Sequence, residues 1–552
     1  MAVASEKNTS EPLLPDDPFH SGEHDAELGI PVLEDAEQYE SSWPGWRNIK
    51  QEVLKQSTLA LPLGVNLIVN YSITTISLTF NSHLGTQAVA AASLASATYW
   101  MFGKLLVQSL CGALDTRASQ AYGSGAYEAI GVIFQRCVLF MLAHCIPITF
   151  VQLAVPEVLK LAGEDPELCT LASAYALRLL PSLYLEAFSR PLNRVLIAQR
   201  IAAPQMAISM IVAVLHIFIN IFFIHTLGLG FLGAAYAICL ASLNNTLLTA
   251  AYIVIAGMQD RVWGRPTWDA FKRWGEFARL AYSSCFMKVA ESWAFGMIVL
   301  LAGLLPDPDR SVASASITFN AYGITYMVFL AQSIAVSTRV GNELGAMRPK
   351  AARTAAAAGM TMAPLLWAVI AVILAEPHLQ RLVLLLYLDG SDAVLWRALT
   401  RLLLITAAVE LFDGLQTVLG GVVQGSGKQQ RGALINVVAF YIFALPLAVF
   451  LGFYCKWNVI GLFAGMGLGP FVQTILYGTL VARLDWGKES KKAAMLAGRE
   501  EAEVMVRRLS ESMSAAERLL TSGSLDNMQV GSLNGVHHPI CRDDQESPGQ
   551  EQ

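Results

Sequence analysis

Long apolar runs separated by short polar turns fill the chain from about residue 56 to residue 482. A helix that crosses a bilayer needs about 20 mostly apolar residues. Six segments of that kind lie in the first half, at 56–80, 88–112, 130–154, 168–190, 204–227 and 231–257. Six more follow at 279–304, 312–336, 352–376, 398–423, 432–454 and 459–482. The pattern predicts an all-α polytopic membrane protein with twelve transmembrane helices in two six-helix lobes. The expected organisation is a disordered N-tail (1–55), an N-terminal lobe (56–257), a linker (258–278), a C-terminal lobe (279–483) and a C-tail (484–552).

The two halves share a motif. Ala113–Leu114–Asp115–Thr116–Arg117, with Gly123 beyond it, recurs about 222 residues later as Ala335–Val336–Ser337–Thr338–Arg339, with Gly345 beyond it. Leu192–Asn193–Arg194–Val195 and Leu419–Gly420–Gly421–Val422 form a second pair, each at the exit of a fourth helix. An even number of spans separates the copies, so both run in one orientation. The repeat is parallel, with a pseudo-twofold axis along the membrane normal, as in carriers that move one half against the other.

Composition and charge sharpen this picture. Hydrophobic residues make up 54% of the chain and charged residues only 15%, against about 25% charged in a soluble domain. The two tails, 124 of the 552 residues, hold 36 of the 81 charged residues. The acidic N-tail (Glu23, Asp25, Glu27, Glu34, Asp35, Glu37) lacks the basic start of a secretory signal. Loops after the even-numbered spans carry Arg117, Arg194, Arg200, Arg261, Arg265, Lys272, Arg273, Arg339, Arg348, Lys350, Arg353, Lys428 and Arg431. The opposite loops carry Lys160, Arg310, Arg381, Lys456 and Arg397. By the positive-inside rule, the first set, the linker and both termini are expected to be cytoplasmic. The sequon Asn8–Thr9–Ser10 would then never meet a lumen.

Acids inside spans cost about 2.5–3.5 kcal/mol or more at the bilayer centre, so each needs a reason. Glu291 lies midway along span seven and Asp413 deep in span ten, with Glu410 one turn before it. Glu186 in span four sits opposite Asp413 in the repeat. Burial disfavours the charged form of a carboxylate, so such a group binds protons, and when ionised it binds cations. Competition of the two for one site is antiport in its simplest form. For Glu186 the bland reading is as strong, because Arg190 one turn away offers a structural partner. Lys288, one turn before Glu291, either blunts proton binding there or extends toward an interface. Gln416 follows Asp413 by one turn. Trp293, Phe295, Tyr322 and Tyr326 are expected to line a pocket for flat or cationic ligands.

Other chemistry is excluded or silent. HExxH, GxSxG and a phosphate loop are absent. Cys111, Cys137, Cys145, Cys239 and Cys285 sit in apolar segments without metal-ligand spacing, and His216 and His225 stand alone. No metal or cofactor is expected, and no nucleic acid. Pro62, Pro147, Pro181, Pro191 and Pro446 lie in or beside spans, as hinges or as packed kinks. The stretch from about Glu500 to Leu520 has helical apolar spacing and reads as a cytoplasmic helix, with the membrane surface as one place for it to lie.

At these motifs the chain resembles the multidrug and toxic compound extrusion (MATE) family, in its plant and animal branch. The matching stretches are 111–125, 192–199, 228–237, 291–306, 337–346 and 420–436, in the family's order and spacing. The resemblance implies a V of two lobes around a central cavity and exchange of protons for organic cations, drugs or metabolites. It maps the coupling acids onto Glu291 and Asp413, and secondary polar positions onto Asn66 and Asn220; Asn70 joins these as a further polar candidate in span one. Four departures stand out. Gly296 replaces a frequent second acid, Gln424 a common arginine, and Lys288 a usual apolar residue, while the region of Ser77 has no acid. Coupling is therefore expected in the C-terminal lobe, with Glu410 as the second acid.

The expected function is a proton-coupled antiporter, not an enzyme, acting as a monomer in the plasma membrane or a vacuolar or lysosomal membrane. Glu11–Pro12–Leu13–Leu14 faintly resembles a sorting signal. A lipid flippase would want a basic cavity, where the sequence offers acids. A non-transporting scaffold is the remaining alternative.

Overall fold

A computed structural model describes residues 44–161, 163, 165–387 and 392–521. Asn8, the Glu11–Leu14 motif and the acidic run of the N-tail lie outside the described residues. Among the described residues the protein is helical, with eleven helices long and apolar enough to cross a membrane. They are α1 (Trp46–Ser82), α5 (Tyr127–Leu161), α6 (Pro166–Ala198), α7 (Ala203–Ile221) with its continuation to Thr226, α8 (Phe231–Ile255), α10 (Trp274–Ala302), α11 (Pro308–Gly345), α12 (Pro349–Ala375), α14 (Ala393–Gly425), and the compound spans beginning at α15 (Gln429–Val437) and α17 (Asn458–Met466).

The remaining span is segmented. α2 (Thr86–Tyr99) passes through a π-helical turn at Trp100–Lys104 into α3 (Leu105–Leu110), and after Cys111 the chain continues as α4 (Gly112–Ser124). Further π turns at Val438–Ala444 and Phe450–Tyr454 flank the short α16 (Leu445–Val449), which contains Pro446. α18 (Leu468–Ala482) completes the last span, and the short α13 (Pro377–Leu385) lies between α12 and α14. Helix starts follow ordinary capping chemistry. Asp165, Asp307 and Asp392 each accept a backbone N–H of the helix they open, and Pro166 and Pro308 take the first helical position.

Two lobes result. One apolar core gathers residues from α2 to α8, and another gathers residues from α10 to α17. The connection between them carries the short α9 (Gln259–Val262) and a 3₁₀ turn at Trp268–Phe271. We call the side on which it lies the linker face.

The repeated motif turns out to be the contact between the lobes at this face. α4 and the end of α11 pack against each other along the pseudo-twofold axis. Gly123 abuts the backbone of Asn342, and Gly345 abuts the backbone of Gln120. Gln120 Nε2 donates to the Gly425 carbonyl (3.2 Å). In the amide orientation that satisfies both ends, Asn342 donates to the equivalent Ala198 carbonyl (3.2 Å). Ion pairs repeat the symmetry unequally. Arg339 grips Glu52 of α1 through two bonds of 2.6 and 2.9 Å, whereas Arg117 reaches Glu276 of α10 at 3.7 Å. The sequence places Arg117, Arg194 and Arg339 in loops. They lie instead inside α4, α6 and α11, because helices of up to 38 residues outrun the hydrocarbon thickness.

Arg339, Glu52 and Glu343 are all buried. Breaking a buried pair strands a charge at a cost of about 3–5 kcal/mol. Arg339→Met is expected to lower the thermal unfolding midpoint of purified protein strongly. Arg117→Met, at the half-exposed counterpart, should barely move it.

The chain past the last span is a further helix, α19 (Trp486–Thr521), which starts well before the predicted Glu500 and lies against protein. Trp486, Ala493, Ala497 and Val504 form its buried stripe. Trp486 and Ala493 join a cluster with α11 and α12, while Ala497 joins the core of the other lobe. Ion pairs Lys428–Glu489, Arg136–Glu500 (3.0 Å), Arg273–Glu503 and Arg507–Asp269 (2.9 Å) fasten it along the linker face. At Asp269, in the linker, burial alone would push the carboxyl up, but hydrogen bonds and charge from Lys272 and Arg507 outweigh it and hold it below the usual range. A depressed folded value stabilises the docked helix above the ordinary aspartate range of about 3.9, and that stabilisation is lost as pH falls through the folded value. The spin-label distance between α19 and α5 should therefore lengthen on strong acidification. Asp269→Asn should lengthen it already at neutral pH.

Candidate functional site: a carboxylate cluster beside the central cavity

Glu291 on α10 and Asp413 on α14 meet through one side chain. Gln416 Nε2 donates to Glu291 Oε1 (3.0 Å) and to Asp413 Oδ1 (3.0 Å), with Thr417 Oγ1 also at 3.0 Å. Asp413 and Gln416 share a helix face one turn apart, which is how a single amide reaches both acids. Glu410, a further turn along α14, accepts from Thr325 Oγ1 of α11. Glu410 and Asp413 are fully buried, and Glu410 Oε2 and Asp413 Oδ2 have no hydrogen-bond partner. Glu291 is only partly buried and lines the central cavity together with Gln416, Lys288 and Tyr326. The three acids thus run from the cavity surface into the lobe.

The cavity lies between the lobes. Its walls include Ser333, Ser337 and Thr417, and its other charged residues are Asp115 of α4 and Arg194 of α6. Arg194 Nε pairs with Asp115 (3.4 Å), which also accepts from Gln424 (2.7 Å). Sequence reasoning missed this cluster: Arg194 read as a loop charge, Asp115 as part of a motif, and Gln424 as a departure. Only the packing of α4, α6, α10 and α14 brings them together. The sequence's contrast between acids here and a basic cavity for a flippase therefore needs correction, because positive charge is present as well.

The other predicted positions lie elsewhere. Glu186 does not pair with Arg190; it accepts from Gln108 (2.6 Å) and meets Lys104 (3.7 Å), because a π turn and α3 bring those residues over it. Asn70 Nδ2 bonds to the Asn66 carbonyl (2.8 Å) within α1. Asn220 joins a buried trio in which His216 Nε2 lies 2.9 Å from Ser77 Oγ and 3.0 Å from Asn220 Nδ2. Among the named aromatics, Tyr326 alone lines the cavity. Tyr322 stacks between Phe295 (5.0 Å) and Tyr326 (6.0 Å), and Trp293 meets Phe102 edge-on (5.8 Å). These rings are packing that backs the acids rather than a shared ligand wall. Among the described residues no group of three His, Cys, Asp or Glu side chains has metal-binding geometry.

Comparison with known proteins decides the family. A family model described as MatE matches residues 62–222 and 283–450, one block in each half of the chain. The chain belongs to the MatE family. Protein DETOXIFICATION 17 of Arabidopsis thaliana is 31% identical over 457 residues, covering 82% of this chain and 94% of the relative. Protein DETOXIFICATION 49 of the same plant is 32% identical over 450 residues, covering 81% and 88%. The crystal structure of a eukaryotic MATE transporter, AtDTX14, superposes with a TM-score of 0.77 at 29% identity, covering 82% of this chain and all (100%) of that one. This MatE protein is therefore an integral membrane protein of a transporter family, with its spans in two lobes.

Proposed function

We propose that this MatE protein is a proton-coupled antiporter that exports organic cations, drugs or metabolites from the cytoplasm by alternating access. The observation that carries the reading is the single amide of Gln416 shared by Glu291 and Asp413, with an orphaned oxygen on Asp413 and another on Glu410. Two carboxylates held by one neutral donor cannot both stay ionised cheaply in a low-dielectric site. Either a proton or a cation supplies the missing positive charge, and an exchange of one for the other is the transport cycle. Glu291 is the member that substrate reaches, and Asp413 and Glu410 hold the proton deeper.

The linker face is the cytoplasmic side in this reading, with both termini there, in line with the basic residues gathered on it. The closed contact of α4 with α11 then makes this the state sealed toward the cytoplasm. Plasma membrane and vacuolar or lysosomal membrane both suit the cycle, since each offers an acidic far side. One proton moving down one pH unit releases about 1.4 kcal/mol, roughly a tenfold substrate gradient. Exchange of one proton for one monovalent cation draws nothing from the membrane potential. The functional unit is taken to be the monomer.

Positive charge at Lys288 and Arg194 also suits a lipid-phosphate flippase of the same superfamily, and gives that reading a specific basis. Proteoliposomes separate the two. An antiporter releases internal protons when an organic cation is driven across, whereas a flippase translocates labelled lipid without one. Lipid movement without substrate-dependent proton flux overturns the antiporter.

A further inference from the structure

Two cations, Lys288 and Arg194, share the wall of the central cavity with Asp115 and Glu291, and a third, Arg190, lies close behind them. Lys288 of α10 and Arg194 of α6 line the cavity, and Arg190, one turn before Arg194, acts on both through its charge. Asp115 is the counter-charge, and it is engaged by Arg194 and Gln424. Among the described residues Lys288 and Arg190 make no ion pair or hydrogen bond, and Arg190 Nε is a buried orphan. Lys104 does not alter the balance, because it is matched by Glu186. Uncompensated charge in a low-dielectric site is costly, so this group calls for an anion. One turn along α10, Glu291 offers the opposite sign on the same cavity wall.

We propose that the cavity is a dipolar site for a zwitterionic substrate, with a carboxylate held by Lys288 and Arg194 and a cationic group held at Glu291. This rests on the antiporter reading and specifies its substrate class. A purely anionic ligand does not fit that reading. A proton on Glu291 would remove a negative charge that repels an anion at Lys288, so proton and anion would bind together rather than compete. A zwitterion keeps the competition, because its cationic end and the proton contend for Glu291 while its carboxylate adds affinity. Lys288 and Glu291 stand three residues apart, about 4.5 Å along the axis of α10, a short spacing that suits an amino-acid-like head on an apolar body.

Three probes that share one ring and differ in charge test the site: 2-naphthylalanine (zwitterion), 2-naphthylethylamine (cation) and 3-(2-naphthyl)propionate (anion). Binding to the purified full-length protein is measured by calorimetry, with no gradient imposed. The zwitterion is expected to bind at least tenfold more tightly than either partner. Lys288→Met and Arg194→Gln should each remove that advantage, while the amine binds Lys288→Met as well as wild type or better, since a repelling charge is gone. Lys288→Arg should keep the preference for the zwitterion. A wild-type protein that binds the amine as tightly as the zwitterion overturns the proposal, as does Lys288→Met weakening both ligands equally. Binding of none of the three also overturns it. Because binding is read at equilibrium, these failures leave proton exchange standing. Amine-driven proton flux, measured separately, decides that reading by itself.

Discussion

Glu291→Gln abolishes substrate-driven proton movement in proteoliposomes, with a loss of roughly 100-fold or more, the scale on which removal of an essential proton-carrying group acts. The substitution keeps the shape of the side chain, and the Gln416 amide still finds an oxygen to bond. The lobe should therefore fold and the cavity should persist. Asp413→Asn is expected to match it, because Asp413 shares the same amide. Gln416→Leu separates the members without removing either acid, and should leave a slower, partly uncoupled exchange. If Glu291→Gln exchanges at the wild-type rate, the coupling group lies elsewhere. Glu186 with its Lys104 partner is then the next carboxylate to replace.

Gly123→Val prevents the linker face from closing. A Cβ at this position would lie far inside contact distance of the Asn342 carbonyl, and the obstacle is backbone, which no rotamer change relieves. Overpacking costs about 1–3 kcal/mol even where side chains can yield, and the upper end applies here. A bias of about 3 kcal/mol shifts a two-state equilibrium by roughly 150-fold, enough to depopulate the closed state. Spin labels at the ends of α4 and α11 should report a longer distance than in wild type. Gly345→Val should do the same from the other lobe, because it meets Gln120 in the mirrored arrangement. A pair of unchanged distances would show that the contact adapts locally and does not set the conformation.

The spans were readable because about 20 apolar residues in a row leave few alternatives. The second span was harder. Its π turn at Trp100–Lys104 and the turn at Cys111 carry single glycines, Gly103 and Gly112, but no proline, so the run reads as one helix ending at residue 112. The motif around Arg339 looked like a loop because it is charged. Its partner Glu52 stands 287 residues earlier, and no local pattern announces such a pair. Glu291 and Asp413 were legible because a lone acid in a membrane span is expensive. Their link through Gln416 was not, since a glutamine one turn from an acid is unremarkable in sequence. Lys288 and Arg194 carried the least signal. One read as a departure and the other as a loop charge, and only the packing of α4 against both α6 and α10 makes them one site. The docking of α19 was half-legible. Its buried positions Trp486, Ala493, Ala497 and Val504 are spaced like a coiled-coil seam, but the first three precede the stretch whose periodicity is evident.

The central claim is that substrate and proton contend for the acids around Glu291, and proton release on binding tests it most directly. Calorimetry of wild-type protein with one substrate, such as 2-naphthylethylamine or 2-naphthylalanine, is run in two buffers of different ionisation enthalpy. The difference between the two heats gives the number of protons released. The account predicts release that approaches one proton per substrate bound at a pH where the site is protonated, and its disappearance in Glu291→Gln. Substrate that binds wild type at that pH with no proton released would contradict it.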